Sequence, residues 1–265
     1  MLKKIFIIIT FVFIVILGLY GYSNFKNNSN IQQTIVDTSN KIETKVIDTT
    51  NKIGNTIETI APKPTRILSD GLPNKHLIKT TFIPQAPEKN WDQPWQDACE
   101  EAALLTVHYY YQQLSPDDQT IKSDILKMID FENQQSFKYD MNLEQMELVS
   151  QKHLGYTTKI INNPTINDIK EYLVKDIPII VPASGKILYQ ENKHFKEQGP
   201  YYHNLTILGY DDDQKKFIVH DVGTQFGAYF KYSYSILMES IHDFPISKNK
   251  QDINTGDKKV LILLK

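Results

Sequence analysis

The run WDQPWQDACEEAALLTVHYYYQQL, residues 91–114, decides how the rest of the chain is read. Its first part is polar and interrupted by Pro94. From Ala98 to Gln113 it lacks both glycine and proline, and it carries apolar side chains at Ala102, Leu105 and Tyr109, which predicts a buried helix. Cys99 sits where the loop becomes that helix. Unpaired amides and the positive end of a helix dipole favour a thiolate at such a place. Glu100 and Glu101 work the other way, because neighbouring negative charge opposes ionisation of a thiol. Cys99 is also the single cysteine of the 265 residues. That excludes an intramolecular disulfide, a zinc site built from paired thiols and a dithiol redox motif. A small buried hydrophobe or a nucleophile remains.

On either side of this run the elements fall in two groups. Ser115 and Pro116 predict a second helix start, with the hydroxyl as cap and proline in the first turn. Asn142 predicts a third, closed by Gly155, and Thr165 with Asp168 reads as a capping box before residues 169–175. Residues 177–181, 204–210, 216–220, 228–232 and 260–264 are short β-branched or aromatic runs between turn residues, and predict strands. Helices in the first half and strands in the second, without βα alternation, predict an α+β fold in place of a doubly wound sheet.

A base for Cys99 is available at His203, in GPYYHNLTILGYDD, at the entrance of a predicted strand. Asp221 closes the next strand in KKFIVHDVGT, and residues 211–215 between them read as a hairpin turn. Two antiparallel strands joined in this way bring the start of the first close to the end of the second, so His203 and Asp221 can meet. An imidazole that takes a thiol proton and a carboxylate that fixes its orientation are what a cysteine nucleophile requires. Polar residues at strand ends are also ordinary surface features. His108 reads as a packing residue, His76 and His153 as solvent-facing, His194 as a loop residue able to line a cleft, and His242 as an aid to closing a short helix. His220 is expected on the opposite sheet face from Asp221 by strand alternation. No histidine or acidic spacing suits zinc or calcium, so no metal and no cofactor are expected. A formal charge of −2, from 29 basic and 31 acidic side chains, gives no field for nucleic acid.

The amino terminus has its own pattern. Residues 5–22, IFIIITFVFIVILGLYGY, are long enough to cross most of a hydrocarbon layer, and Lys3 and Lys4 precede them. The expectation is a retained, single-pass signal-anchor at residues 1–22 with the remainder outside the cytoplasm; a cleaved signal is the alternative. Residues 23–74 read as a linker. Within it VDTSNKI at 36–42 recurs as IDTTNKI at 47–53, an eleven-residue period that keeps apolar residues on one helix face. This fits either a loosely helical linker or a self-associating stalk, since β-branched residues and Gly54 weaken an isolated helix. Pro62 and Pro64 end it, and the functional domain is expected over residues 75–265.

The ordered segments FIPQAPEKNWDQPWQDACEEA, IPIIVPASG and GPYYHNLTILGYDDDQKKFIVHDVGTQFG resemble the bacteriocin-processing cysteine peptidases, specifically the stand-alone peptidase C thirty-nine-like branch. The resemblance covers residues 75–265 and implies a papain-like fold. It also implies Cys99 as nucleophile, His203 as general base and acid, and Asp221 as the residue orienting that histidine. A side-chain donor to the oxyanion is implied as well. Gln85, in the QAP segment of the stand-alone branch, is preferred to Gln93, which has the six-residue separation of papain; Gln96 is a third choice. Glu100 replaces the glycine usual in transporter-linked leader peptidases, and no ATP-binding or multi-span region is present, so trimming of double-glycine leaders is not carried over. The function expected is a membrane-anchored extracytoplasmic bacterial cysteine peptidase acting on peptides or cell-surface proteins. The alternatives are a non-catalytic papain-like module gripping peptides or cell wall, and a peptidoglycan stem-peptide amidase.

Overall fold

The computed structural model describes residues 71–265, together with residues 37–39, 41, 42, 44 and 45. The chain divides between Pro64 and Thr65 into two units. In the first, the described residues are helical and exposed. The proposed anchor at residues 5–22 and most of the eleven-residue repeat lie outside the described residues. Among those described, no helix is long and apolar enough to cross a membrane.

The second unit is α+β, with one antiparallel sheet. Its strands are β1 (Lys75–Leu77), β2 (Thr157–Asn162), β3 (Ile179–Ser184), β4 (Tyr202–Asp211), β5 (Lys216–His220), β6 (Phe230–Ser233) and β7 (Lys259–Leu264), in spatial order β2-β7-β3-β4-β5-β6, with β1 beside the far half of β4. Every pairing is antiparallel. The turn from β4 to β5 is built by Asp211, whose Oδ1 accepts from the amides of Asp213 at 3.1 Å and Gln214 at 3.2 Å. Gly209 lies at a register shift in β4, where a side chain would meet the carbonyl oxygen of His76 in β1 at 2.3 Å.

The helices are α1 (Cys99–Gln112), α2 (Asp118–Gln134), α3 (Leu143–Lys152), α4 (Ile166–Leu173), the single turn α5 (Gly185–Leu188) and α6 (Tyr234–Ser240). Helix α1 is buried along almost its whole length, Glu100, Glu101 and Thr106 included, and neither glycine nor proline interrupts it. The Tyr111 hydroxyl donates to the Leu263 carbonyl in β7 at 2.8 Å, and Thr206 Oγ1 in β4 donates to the Ala103 carbonyl at 3.3 Å, so both neighbours hold α1 in register. One apolar cluster joins α1, α2 and α3 to Ile180, Leu261 and Leu263 of the sheet; a second gathers Ile169, Leu173, Leu188 and Leu237 around Val181, Leu205 and Ile207.

The cap at Asn142 and the capping box at Thr165 form as their sequences predict, and Gln145 completes a box at Asn142 as well. The start of α2 differs: Asp117, not Ser115, accepts the Thr120 amide at 2.8 Å, while Ser115 Oγ accepts from Thr81 Oγ1. An ionised side chain at the N-cap position also complements the helix dipole, which a hydroxyl does not. Strands β1 and β2 were not expected. β1 has only three residues, and the TTKIIN of β2 is half-exposed, so neither shows a strong apolar signal.

Candidate active site

Cys99 is the first residue of α1, and no side chain caps the helix there. The segment before it is held from behind by Gln85, whose Nε2 donates to the carbonyls of Trp95 and Gln96, each at 3.0 Å. The Gln85 amide in turn donates to the Val222 carbonyl at 3.1 Å, next to Asp221. The sulfur therefore lies at a helix tip tied to the sheet. Asn204 Nδ2 approaches it from β4 at 4.0 Å, and the thiol donates to Glu100 Oε2 at 3.0 Å.

His203, one residue before Asn204, is 2% exposed. Its Nε2 hydrogen-bonds Asp221 Oδ1 at 2.9 Å. The antiparallel register that pairs Thr206 with His220 makes this meeting possible, as the hairpin reading anticipates. Asp221 is fully buried and surrounded by donors. Besides His203, its Oδ2 accepts from Asn192 Nδ2 at 2.9 Å and from the Tyr232 hydroxyl, and Oδ1 accepts from the Gly223 amide at 3.3 Å. Burial alone would push this carboxyl up; His203, Tyr232 and Asn192 outweigh it and hold Asp221 below its ordinary value. The imidazole is confined on its other side by Phe195, edge-on at 5.4 Å, and by Gly223, where a Cβ would lie 2.6 Å from His203 Cε1.

The thiol departs from expectation. Burial first, then the charge and hydrogen bond of Glu100, push Cys99 well above the ordinary thiol value. The helix-tip position is opposed first by desolvation and then by the Glu100 carboxyl against the sulfur, so the structure favours a neutral thiol where the sequence suggests a thiolate.

The glutamines separate clearly. Gln85 is buried and braces the loop; Gln93 is exposed, with Nε2 donating to Asp97 Oδ2 at 2.6 Å, and Gln96 is exposed. His220 packs its ring against Phe82 and Tyr229 on the face away from Asp221, and burial pushes it down to about 4. His108 accepts or donates at Nδ1 with the Tyr156 hydroxyl at 3.0 Å, and His194 stacks on Phe226. His242 does not close α6; its Nδ1 pairs with the Gly256 carbonyl at 2.9 Å. Among the described residues no cluster of three or more histidine, cysteine or acidic side chains is placed to hold a metal ion. Asn192, Tyr232, Phe195 and Asn204 were not singled out from the sequence. Tyr232 falls within a predicted strand, but only the packing of β6 on β5 aims its hydroxyl at Asp221.

Residues 78–245 match the model of the Peptidase_C39 like family. The chain belongs to that family. This C39-like chain thus has a cysteine at a helix tip and a histidine–aspartate pair on adjoining strands within the matched residues. A solved structure of a candidate C39-like peptidase from Bacillus anthracis is similar at 14% identity with a TM-score of 0.44, covering 72% of this chain and 98% of that one. No curated protein shows a significant match.

Proposed function

We propose that this C39-like chain is a cysteine peptidase that cleaves amide bonds through Cys99, His203 and Asp221. The observation that carries the reading is the His203–Asp221 hydrogen bond of 2.9 Å, made by a buried, ionised aspartate just past the end of the strand beside the one that meets the Cys99 helix tip. With Nε2 committed to Asp221, Nδ1 is the nitrogen left to take the thiol proton. Sγ then adds to the substrate carbonyl, and the imidazolium returns the proton to the departing amine. The thioester that remains is hydrolysed by water activated by the same ring. The first amides of α1 are the backbone donors to the oxyanion, and Gln85 supplies the side-chain donor by exchanging the Trp95 or Gln96 carbonyl for substrate.

The substrate is a peptide or a cell-surface protein. Residues 1–22 anchor the chain in a membrane, with Lys3 and Lys4 on the cytoplasmic side and the C39-like unit outside, joined by the linker at residues 23–74.

The test is alkylation of the full chain in detergent micelles with iodoacetamide below pH 7, followed by turnover of a peptide library. Labelling of Cys99 that slows at least tenfold in His203→Ala supports the reading. Equal labelling of both forms, with peptides retained but uncut, replaces it with a peptide-gripping module. Release of stem peptides from purified cell wall in the absence of peptide turnover would move the substrate to peptidoglycan.

A further inference from the structure

Glu100 is fully buried at the base of the sulfur, and its two oxygens have different partners. Oε1 accepts the Met141 amide at 3.0 Å; Oε2 faces Cys99 Sγ at 3.0 Å. The Met141 peptide is itself pinned, because its carbonyl accepts from the Tyr202 hydroxyl at 2.7 Å, one residue before His203. The carboxyl is thus held in one orientation by an amide that β4 also holds. One oxygen that accepts from an N–H and one that faces sulfur is the pattern a neutral carboxylic acid satisfies, with its carbonyl on Met141 and its hydroxyl on Sγ. A carboxylate satisfies the same heavy-atom positions by accepting the S–H.

We propose that Glu100 is a positioning residue that gates Cys99. With a proton on Oε2 it donates a hydrogen bond to the sulfur and supports the thiolate; without it, Oε2 accepts the S–H and holds the thiol neutral. With Oε2 protonated, the S–H bond breaks as His203 Nδ1 takes that proton, and the O–H donates to the sulfur left behind. The gate closes when Oε2–H gives its proton to solvent, because ionising the thiol would then put two anions 3.0 Å apart. This rests on the reading of Cys99 as the nucleophile.

The surroundings favour the protonated form. Glu101 follows on the same helix, Asp140 lies next to Met141, and the Tyr202 phenol faces both Cys99 and Glu100 with Asp243 beyond it. These groups are acidic, and His203 on β4 is already engaged by Asp221. Burial and Asp140 accordingly push Glu100 up to about 8, so the gate closes in the mildly alkaline range.

The experiment follows the iodoacetamide rate of Cys99 in the full chain from pH 5.5 to 10 in wild type, Glu100→Gln and His203→Ala. Each profile is normalised to its own value at pH 6.5, and folding is checked by circular dichroism. Wild type is expected to fall by about tenfold between pH 7 and pH 9, and Glu100→Gln, which keeps an acceptor for Met141 and a donor for sulfur at every pH, to lose that fall. The same alkaline fall in both overturns the proposal. Should Glu100→Gln not fold, the wild-type profile decides alone: a smooth rise through a single titration overturns the gate, and a fall above pH 7 supports it. A rate indifferent to His203→Ala overturns the parent reading. An intact His203 dependence with no Glu100 effect overturns only this one.

Discussion

Asp221 and Glu100 are both carboxyl groups with no solvent exposure, within one site, and they are held in opposite charge states. Asp221 collects donors from His203, Asn192, Tyr232 and the Gly223 amide, and stays ionised. Glu100 has the amides of Met141 and its own residue, a thiol, and acidic neighbours, and keeps its proton up to about 8. Burial acts on both in the same direction; the number and charge of the donors decide the outcome. Glu101 and Glu132 extend the Glu100 side of the contrast. They hydrogen-bond each other between α1 and α2, and each leaves one buried oxygen without a partner. Burial raises both, Glu132 to about 7 and Glu101 well above the ordinary carboxyl value.

The most severe way to break the contrast is Asp221→Asn, which keeps the shape and removes the charge. It is expected to lower kcat/KM on a cleaved peptide by about 10³- to 10⁴-fold, because the wrong tautomer of His203 becomes favoured. A loss under tenfold would show that the ionised state of Asp221 is not needed. Next comes Gly223→Ala. Its Cβ would stand 2.6 Å from His203 Cε1 and 2.9 Å from Phe195 Cε1, so the ring must turn and turnover should fall by about 10²-fold while circular dichroism is unchanged. Removing one donor from Asp221 is milder. Tyr232→Phe should cost about tenfold in kcat/KM and move the acid limb of the pH–rate profile upward, as the carboxylate becomes easier to protonate.

The smallest expected effect sharpens the contrast through stability. A carboxyl held low, like Asp221, contributes stability that is present above its unfolded value of about 4 and is lost as pH falls through the folded value. Carboxyls held high, such as Glu132 and Glu100, contribute stability that is full below about pH 4.5 and is lost as pH rises through about 7 and about 8. The melting temperature should therefore peak near pH 5 and fall by several degrees toward pH 9, at about 2–4 °C per kcal/mol for a domain of this size. Glu132→Gln should flatten the alkaline side; a melting temperature that rises from pH 5 to pH 9 would contradict the assignment of these protons.

Much of the site can be read before folding is considered. Cys99 at a loop-to-helix junction, and His203 and Asp221 at the two ends of a hairpin, follow from local patterns with strong periods. The Asn142 and Thr165 caps are legible for the same reason, since a cap involves residues three apart. Gln85 is legible as important but not in its action, because its Nε2 contacts depend on where the 95–96 carbonyls turn. Asn192 and Tyr232 lie 29 and 11 residues from Asp221 and carry no spacing that links them to it.

The sequence by itself determined the main helices, the strands with strong apolar runs, the α+β order and which side chains offer a thiol, an imidazole and a carboxyl, because those depend on contacts within a helix turn or across a single hairpin; the weakly apolar β1 and β2 were not legible. The tertiary structure alone decided the charge states. Whether a carboxyl or a thiol keeps its proton depends on the water it loses and the donors it gains, and in this site those come from segments up to about a hundred residues apart, as the Cys99–Asn204 approach shows.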